Sequence, residues 1–431
     1  MDGGSEEEGS RSAARRAERR TALGHVVKGR EMTRAPNAFR LALFWLGIQA
    51  VWGALLGVSL QSRTIELSPN NPEIATNQLA TGGAMVAALV QILIGLWADR
   101  RRGGGSRRIE FYAVGALGGA TAILCFYDAR TFFALTISFM AVQAALNVAI
   151  GPYQAIIPDF VERTRFGIAS SWMAALQSAG NAIGALAASL IANARVLGSS
   201  LGGLLLFTCA VTAVHARSLG LQASSRKGEP PHLTRAFVDL FISRALVYIG
   251  FYTLLFNLFF YVRALLGGTT LAQARLQTGM LIVVFTLVGS LGAALAARPS
   301  DRLDKRLVAT LGGAGFIAAL ALFIASRALL GAAAATVIAG VGWGVFLVAD
   351  WAIACRVLPA GAMATAMGIW NLAIVLPQVV APALTTLVLQ HLSGAMGPEA
   401  PRVAFGLAFG ETFLGIAWLW RIPRRVVEDQ F

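Results

Sequence analysis

Between two long apolar runs stands "IGLWADRRRGGGSRRIEF", Ile94 to Phe111, in which Asp99 and five arginines crowd a glycine-rich gap. Charge this dense beside apolar runs fits a short polar turn between membrane-crossing helices, because cationic loops are retained on the cytoplasmic side during insertion. The rest of the chain repeats the pattern. Of 431 residues, 56% are hydrophobic and only 13% charged, with mean hydropathy +0.65, whereas a soluble domain carries roughly 25% charged residues. Apolar runs of about 18 to 25 residues recur, the length a helix needs to cross roughly 30 Å of hydrocarbon.

The runs predict an all-α integral membrane protein with twelve transmembrane helices, near 38–60, 77–98, 110–127, 131–157, 167–192, 200–218, 239–264, 273–297, 307–325, 329–355, 363–390 and 402–421. The expected organisation is a disordered cytoplasmic tail over 1–36, a six-helix bundle over 37–218, a cytoplasmic linker over 219–238, a second six-helix bundle over 239–421 and a tail over 422–431. Most Lys and Arg lie in the tails and after every second span, which puts both termini in the cytoplasm; a bacterial inner membrane is the expected location. The halves echo each other. "ADRRR" after the second span returns as "AARPSDRLDKR" after the eighth, and "ASSWMAALQSAGNAIGALA" in the fifth resembles "TAMGIWNLAIVLPQVVAPA" in the eleventh. Duplicated bundles of this kind hold a substrate site between them near the bilayer midplane.

Other classes find little support. The net charge of +14 sits in loops and termini, which argues against nucleic acid as a partner. Cys125, Cys209 and Cys355 all fall within spans, and His25, His215, His232 and His391 show no ligand spacing, so neither a metal nor a cofactor is expected. There is no Walker A loop, so no nucleotide-driven chemistry is expected. Without paired carboxylates or a nucleophile elbow, an enzyme is not expected.

"GLWADRRRGGGSRR" resembles the signature loop of the major facilitator superfamily. "NVAIGPYQAIIPDFVERTRFGIASSW", Asn147 to Trp172, and "LFNLFFYVRALLG", Leu255 to Gly267, resemble its sucrose-transporter-like and glycoside-pentoside-hexuronide symporter branch. Two departures stand out: Gln91 is followed by Ile92 rather than proline, and the loop ends Gly105-Ser106-Arg107-Arg108. The resemblance implies a monomeric secondary active transporter that moves a small solute, a sugar or glycoside, by alternating access with a proton as coupling ion. It also implies a cytoplasmic gate at Asp99 and Arg100, with Asp159 or Glu162 as acidic partner and Asp301 and Arg302 as the second half's counterpart. Topology alone would also explain these charges.

Acids inside spans are costly and are functional candidates. Asp350 lies about 9 Å of helix rise before Arg356, and Glu411 lies near the midpoint between Arg402 and Arg421; either could carry the coupling proton, or serve as a hydrogen-bonded packing acid. Uncharged polar residues form stripes at helical spacing: Gln143, Asn147, Gly151 and Gln154; Thr253, Asn257 and Tyr261; Asn371 and Gln378. Their expected role is lining a solute cavity together with Tyr153, Trp351 and Trp370, and the alternative is interhelical hydrogen bonding. Trp343 shares a face with Asp350. Gly180, Gly184 and Ala188 allow close helix approach, and Pro377 and Pro382 permit bending of the eleventh helix. An exporter of the same fold, or a non-transporting membrane scaffold or pigment-delivery protein, remain the alternatives.

Overall fold

The computed structural model describes residues 36–424 apart from 101–103, 155, 157–159, 162–165, 220–233, 268–269, 358–362 and 397–398. The expected amino-terminal tail, most of the linker and most of the carboxy-terminal tail therefore lie outside the described residues. The described residues form long helices, numbered here α1 (Ala38–Leu67), α2 (Pro72–Arg100), α3 (Gly104–Asp128), α4 (Phe132–Tyr153), α5 (Phe166–Leu190), α6 (Ala194–Ser218), α7 (Arg235–Leu265), α8 (Leu271–Arg302), α9 (Lys305–Ala325), α10 (Leu329–Val357), α11 (Met363–Met396) and α12 (Ala400–Leu419). Among the described residues, ten of them are long and apolar enough to cross a membrane, and α2 and α5 complete the twelve.

Local chemistry sets the helix starts. Thr131, Asn193, Thr234, Thr270 and Asp304 each precede a helix and accept a backbone N–H of its first turn, satisfying donors that have no partner inside the helix. α7 begins four residues earlier than the sequence pattern predicts, at the Thr234 cap. α1 carries a π-helical turn over Leu55–Ser59. Pro152 falls in the last turn of α4, whereas Pro377 and Pro382 lie inside a continuous α11.

The packing is pseudo-symmetric. α1 packs on α5 and α6 as α7 packs on α11 and α12; α2 meets α4 as α8 meets α10; α3 meets α4 and α6 as α9 meets α10 and α12. Between the bundles, α2 packs on α11 and, by the same relation, α8 on α5. Helices approach where side chains are smallest. A Cβ on Gly180 or Gly184 would strike the α1 backbone at Leu46 or Ala50, and one on Gly344 would strike Gly289 of α8. Close backbone approach through small residues is the usual packing device in lipid, where no hydrophobic force draws helices together.

Among the described residues, Glu66 pairs with Arg275 and Asn77 with Asn257 across the bundles toward the end where α1 finishes and α8 begins, termed the distal end; the end where α1 starts is the tail end. In its distal half α8 buries Ala274, Thr278, Leu281 and Ile282, and Gly279 lies against Ser189 and Ala185 of α5. In its tail half the buried positions Gly289 and Gly292 lie against α10, while Leu287, Leu291 and Leu295 are exposed.

Candidate functional site

α7 places Arg244 nine residues after its first residue and five after Asp239, with its side chain buried. A guanidinium there needs a counter-charge, and Asp350 of α10 supplies it: Arg244 donates to Asp350 Oδ2, and both side chains are buried. A second guanidinium arm donates to the Tyr248 hydroxyl at 3.3 Å. The guanidinium carbon also lies 4.4 Å from the Trp370 ring centroid and 4.9 Å from that of Tyr248, an arrangement that partly replaces lost hydration by cation–π attraction. Arg244 Nε and Trp370 Nε1 are buried and have no acceptor among the described residues.

An aromatic wall continues from this pair. Trp343 stacks on Phe251 at 4.3 Å between centroids and 14° between planes, and Tyr248 meets Trp343 edge-on at 5.1 Å. Tyr252, one turn along α7 from Tyr248, accepts a hydrogen bond from Gln378 Nε2 at 2.9 Å. In the first bundle the matching depth holds amides: Gln91 of α2 donates to Asn147 Oδ1 at 2.6 Å, and Asn147 donates to the Gln143 carbonyl at 2.8 Å. Asn147 stands six residues before the end of α4 and Asp350 seven before the end of α10, pseudo-equivalent places.

The remaining candidates separate from this cluster. Glu411 is buried between α12 and α7; its Oε2 accepts from Thr253 at 3.0 Å while Oε1 has no partner among the described residues. Asn257, the next member of the α7 stripe, accepts from Asn77 of α2 at 3.4 Å and so bridges the bundles. Tyr261 is packed inside the second bundle: its hydroxyl donates to the Phe323 carbonyl at 2.6 Å, and its ring packs on Phe323 and Phe405. Tyr153 is likewise packed inside the first bundle, where it donates to the Leu41 carbonyl at 2.8 Å among Phe44, Trp45 and Tyr112. In both cases a phenol that must satisfy its hydroxyl found a helix-end carbonyl inside its own bundle. Trp351 is exposed although it adjoins Asp350, since neighbours in a helix point to different faces. Gln154 is exposed beyond the last turn of α4.

Of the predicted gate, Arg302 is exposed at the end of α8. Asp99, Arg100 and Asp301 belong to helices whose side chains at those positions lie outside the described residues, as does that of Asn371; Asp159 and Glu162 lie outside them altogether. A latch that the sequence pattern did not single out joins the distal ends. Arg275 at the start of α8 pairs with Glu66 at the end of α1 at 2.8 Å, and Arg63 holds the other Glu66 oxygen and the Ala129 carbonyl.

Arg244 was also missed. Its signal was present, since an arginine five residues inside the predicted 239–264 span is costly as an acid is and calls for a partner. Searching for cations and acids together would have matched it to Asp350.

Comparison with known proteins agrees with this architecture. The family model described as Major Facilitator Superfamily matches residues 38–382. No curated protein matches the sequence. Among solved structures, a bacterial homolog of the human lysosomal transporter Spinster, in an inward-facing and occupied conformation, superposes with a TM-score of 0.70 at 16% identity, covering 91% of this chain and 98% of that one. The peptide transporter POT in complex with sulfate gives 0.65 at 15% identity, covering 92% and 96%. The nucleoside transporter NupG gives 0.63 at 13%, covering 88% and 98%. At these identities the likeness shows the fold.

Proposed function

The chain belongs to the Major Facilitator Superfamily, and on that premise we propose that it carries a small organic solute by alternating access, with Asp350 exchanging the coupling proton. The observation that carries this reading is the pairing of Arg244 with Asp350 on two helices of one bundle, buried where no structural need for charge is evident. Replacing such a pair by apolar residues of similar volume is often neutral or stabilising, so ionic packing alone is a weak reason to keep it. A proton on Asp350 would release Arg244, and an acid that switches a cation between partners suits coupling. Glu411 meets no cation among the described residues, and it stands second as proton carrier.

The closed distal end and the one-sided burial of α8 toward the tail end support a state open toward the cytoplasm, with both termini on that side. The Glu66–Arg275 pair then serves as the outer gate, and the Asp99 and Asp301 loops as its inner counterparts. The amides Gln91, Asn147 and Gln378 hydrogen-bond within their own bundles, so the sugar or glycoside implied by the branch resemblance stands as the second reading of the solute.

Alternation can be tested without knowing the solute. Thr278 is buried in the distal half of α8. In a variant lacking Cys125, Cys209 and Cys355, Thr278→Cys should react slowly with an impermeant maleimide in the resting protein and several-fold faster once Glu66→Gln weakens the latch. Equal rates in the two backgrounds would argue against a distal gate that opens.

A further inference from the structure

We propose that the transported solute is an organic monoanion with a flat apolar body, its charged head bound by the Nε–H of Arg244 and the Nε1–H of Trp370. This rests on the transport reading above and names the solute class for the same site. Arg244 uses its two terminal arms on Asp350 and Tyr248, yet its Nε–H has no acceptor among the described residues. Trp370, 3% exposed, faces the same guanidinium and also leaves its ring N–H without an acceptor among the described residues. More than about 90% of buried polar groups are bonded, so two open donors in one cluster mark a place for an incoming acceptor. The planar guanidinium edge favours a carboxylate-type head, and charge-assisted bonds are much stronger than those to a neutral hydroxyl. Tyr248, beside the Arg244 guanidinium, leads on to Tyr252 and to the Trp343–Phe251 stack, an aromatic wall suited to flank an apolar body.

Charge balance fixes the stoichiometry. An anion beside an ionised Asp350 would set two negative groups on one arginine. With a proton on Asp350, the anion takes over Arg244 and the cluster keeps its net charge; one anion crosses with one proton, and on release the proton leaves Asp350 as its bond to Arg244 reforms. The ionisable groups shown against Asp350 are Arg244, with Tyr248 beside that guanidinium. Among the described charges of α8 and α9, which pack on α10, Arg298 and Arg302 are exposed near the tail end, Lys305 lies in the first turn of α9, and Arg306 is committed to Asp304. Arg356 lies almost two turns further along α10.

The test uses the purified full chain with indole-3-acetate, 2-naphthoate and 4-phenylbutyrate as probes, each beside its neutral primary amide. At least one acid should raise the thermal midpoint while its amide does not, and its affinity should increase as pH falls. Trp370→Phe keeps the ring and removes the donor; Arg244→Lys keeps a charge for Asp350 and removes the Nε–H. Each should weaken acid binding about tenfold without altering any weak binding of the amide, in samples that remain monodisperse. Amides that stabilise as well as their acids, or three acids without effect, would overturn the anion. The Thr278→Cys labelling separates the two levels: a chain whose distal end opens yet prefers amides refutes only the anion, whereas one that never opens refutes transport.

Discussion

Removing the Asp350 carboxylate would leave the Arg244 guanidinium buried without its counter-charge, and the cost follows from the surroundings. Arg244 is held by α7 and flanked by Tyr248 and Trp370, and its side chain is only 7% exposed. Breaking one side of a buried pair typically costs about 3–5 kcal/mol, while replacing both partners can be close to neutral. Asp350→Asn should therefore lower the thermal midpoint strongly, and Asp350→Asn combined with Arg244→Gln should recover most of the loss. Thermal unfolding of the four proteins in one detergent closes the cycle. Additive losses would mean that the two residues do not act as a pair.

At the scale of a helix, the start of α9 offers a pH-dependent contribution outside the membrane. Asp304 caps the helix by accepting the Arg306 backbone N–H at 2.9 Å and pairs with the Arg306 side chain at 2.7 Å. The hydrogen bond from the Arg306 side chain, foremost, holds the Asp304 carboxyl below its ordinary range. A depressed folded value stabilises above the unfolded value of about 3.9 and loses that contribution as pH falls toward the folded one. Asp304→Asn keeps a capping oxygen but no charge. The thermal midpoint of the wild type should exceed that of the variant by a constant margin above about pH 5, a margin worth about 1 kcal/mol or less, and the two should converge at lower pH. A gap that widened on acidification would contradict the assignment. Helices themselves were legible in the sequence because apolar length is a local property, and the Gly180–Gly184 approach to α1 was legible because spacing four places both on one face. Which stripe faces which neighbour was not. Thr253, Asn257 and Tyr261 share a four-residue spacing but serve α12, α2 and the end of α9, respectively. Forty degrees of drift per step and the order of neighbours around α7 decide that, and neither is written in the spacing.

For the whole molecule, the decisive quantity is the free-energy difference between distal-closed and distal-open arrangements. The Glu66–Arg275 pair is partly exposed, with side-chain exposures of 33% and 22%, so its contribution is about 1 kcal/mol or less. Such a contact can bias an equilibrium about fivefold but cannot lock it, which is what a reversible gate requires. The Asn77–Asn257 bond and the Gly279 contact with α5 add to the same closure. A covalent link should then do what the ion pair cannot. With Cys125, Cys209 and Cys355 replaced, Glu66→Cys and Arg275→Cys together should cross-link through a short bifunctional maleimide cleavable by reductant, because the paired side chains place both positions at one junction between the bundles. The linked protein should hold the distal end shut: Thr278→Cys should lose its residual reactivity toward impermeant maleimide applied from the distal side, and cleavage should restore it. If the tethered protein labels as fast as the cleaved one, then the distal contacts do not move in the cycle, and the gate must be sought at the tail end alone.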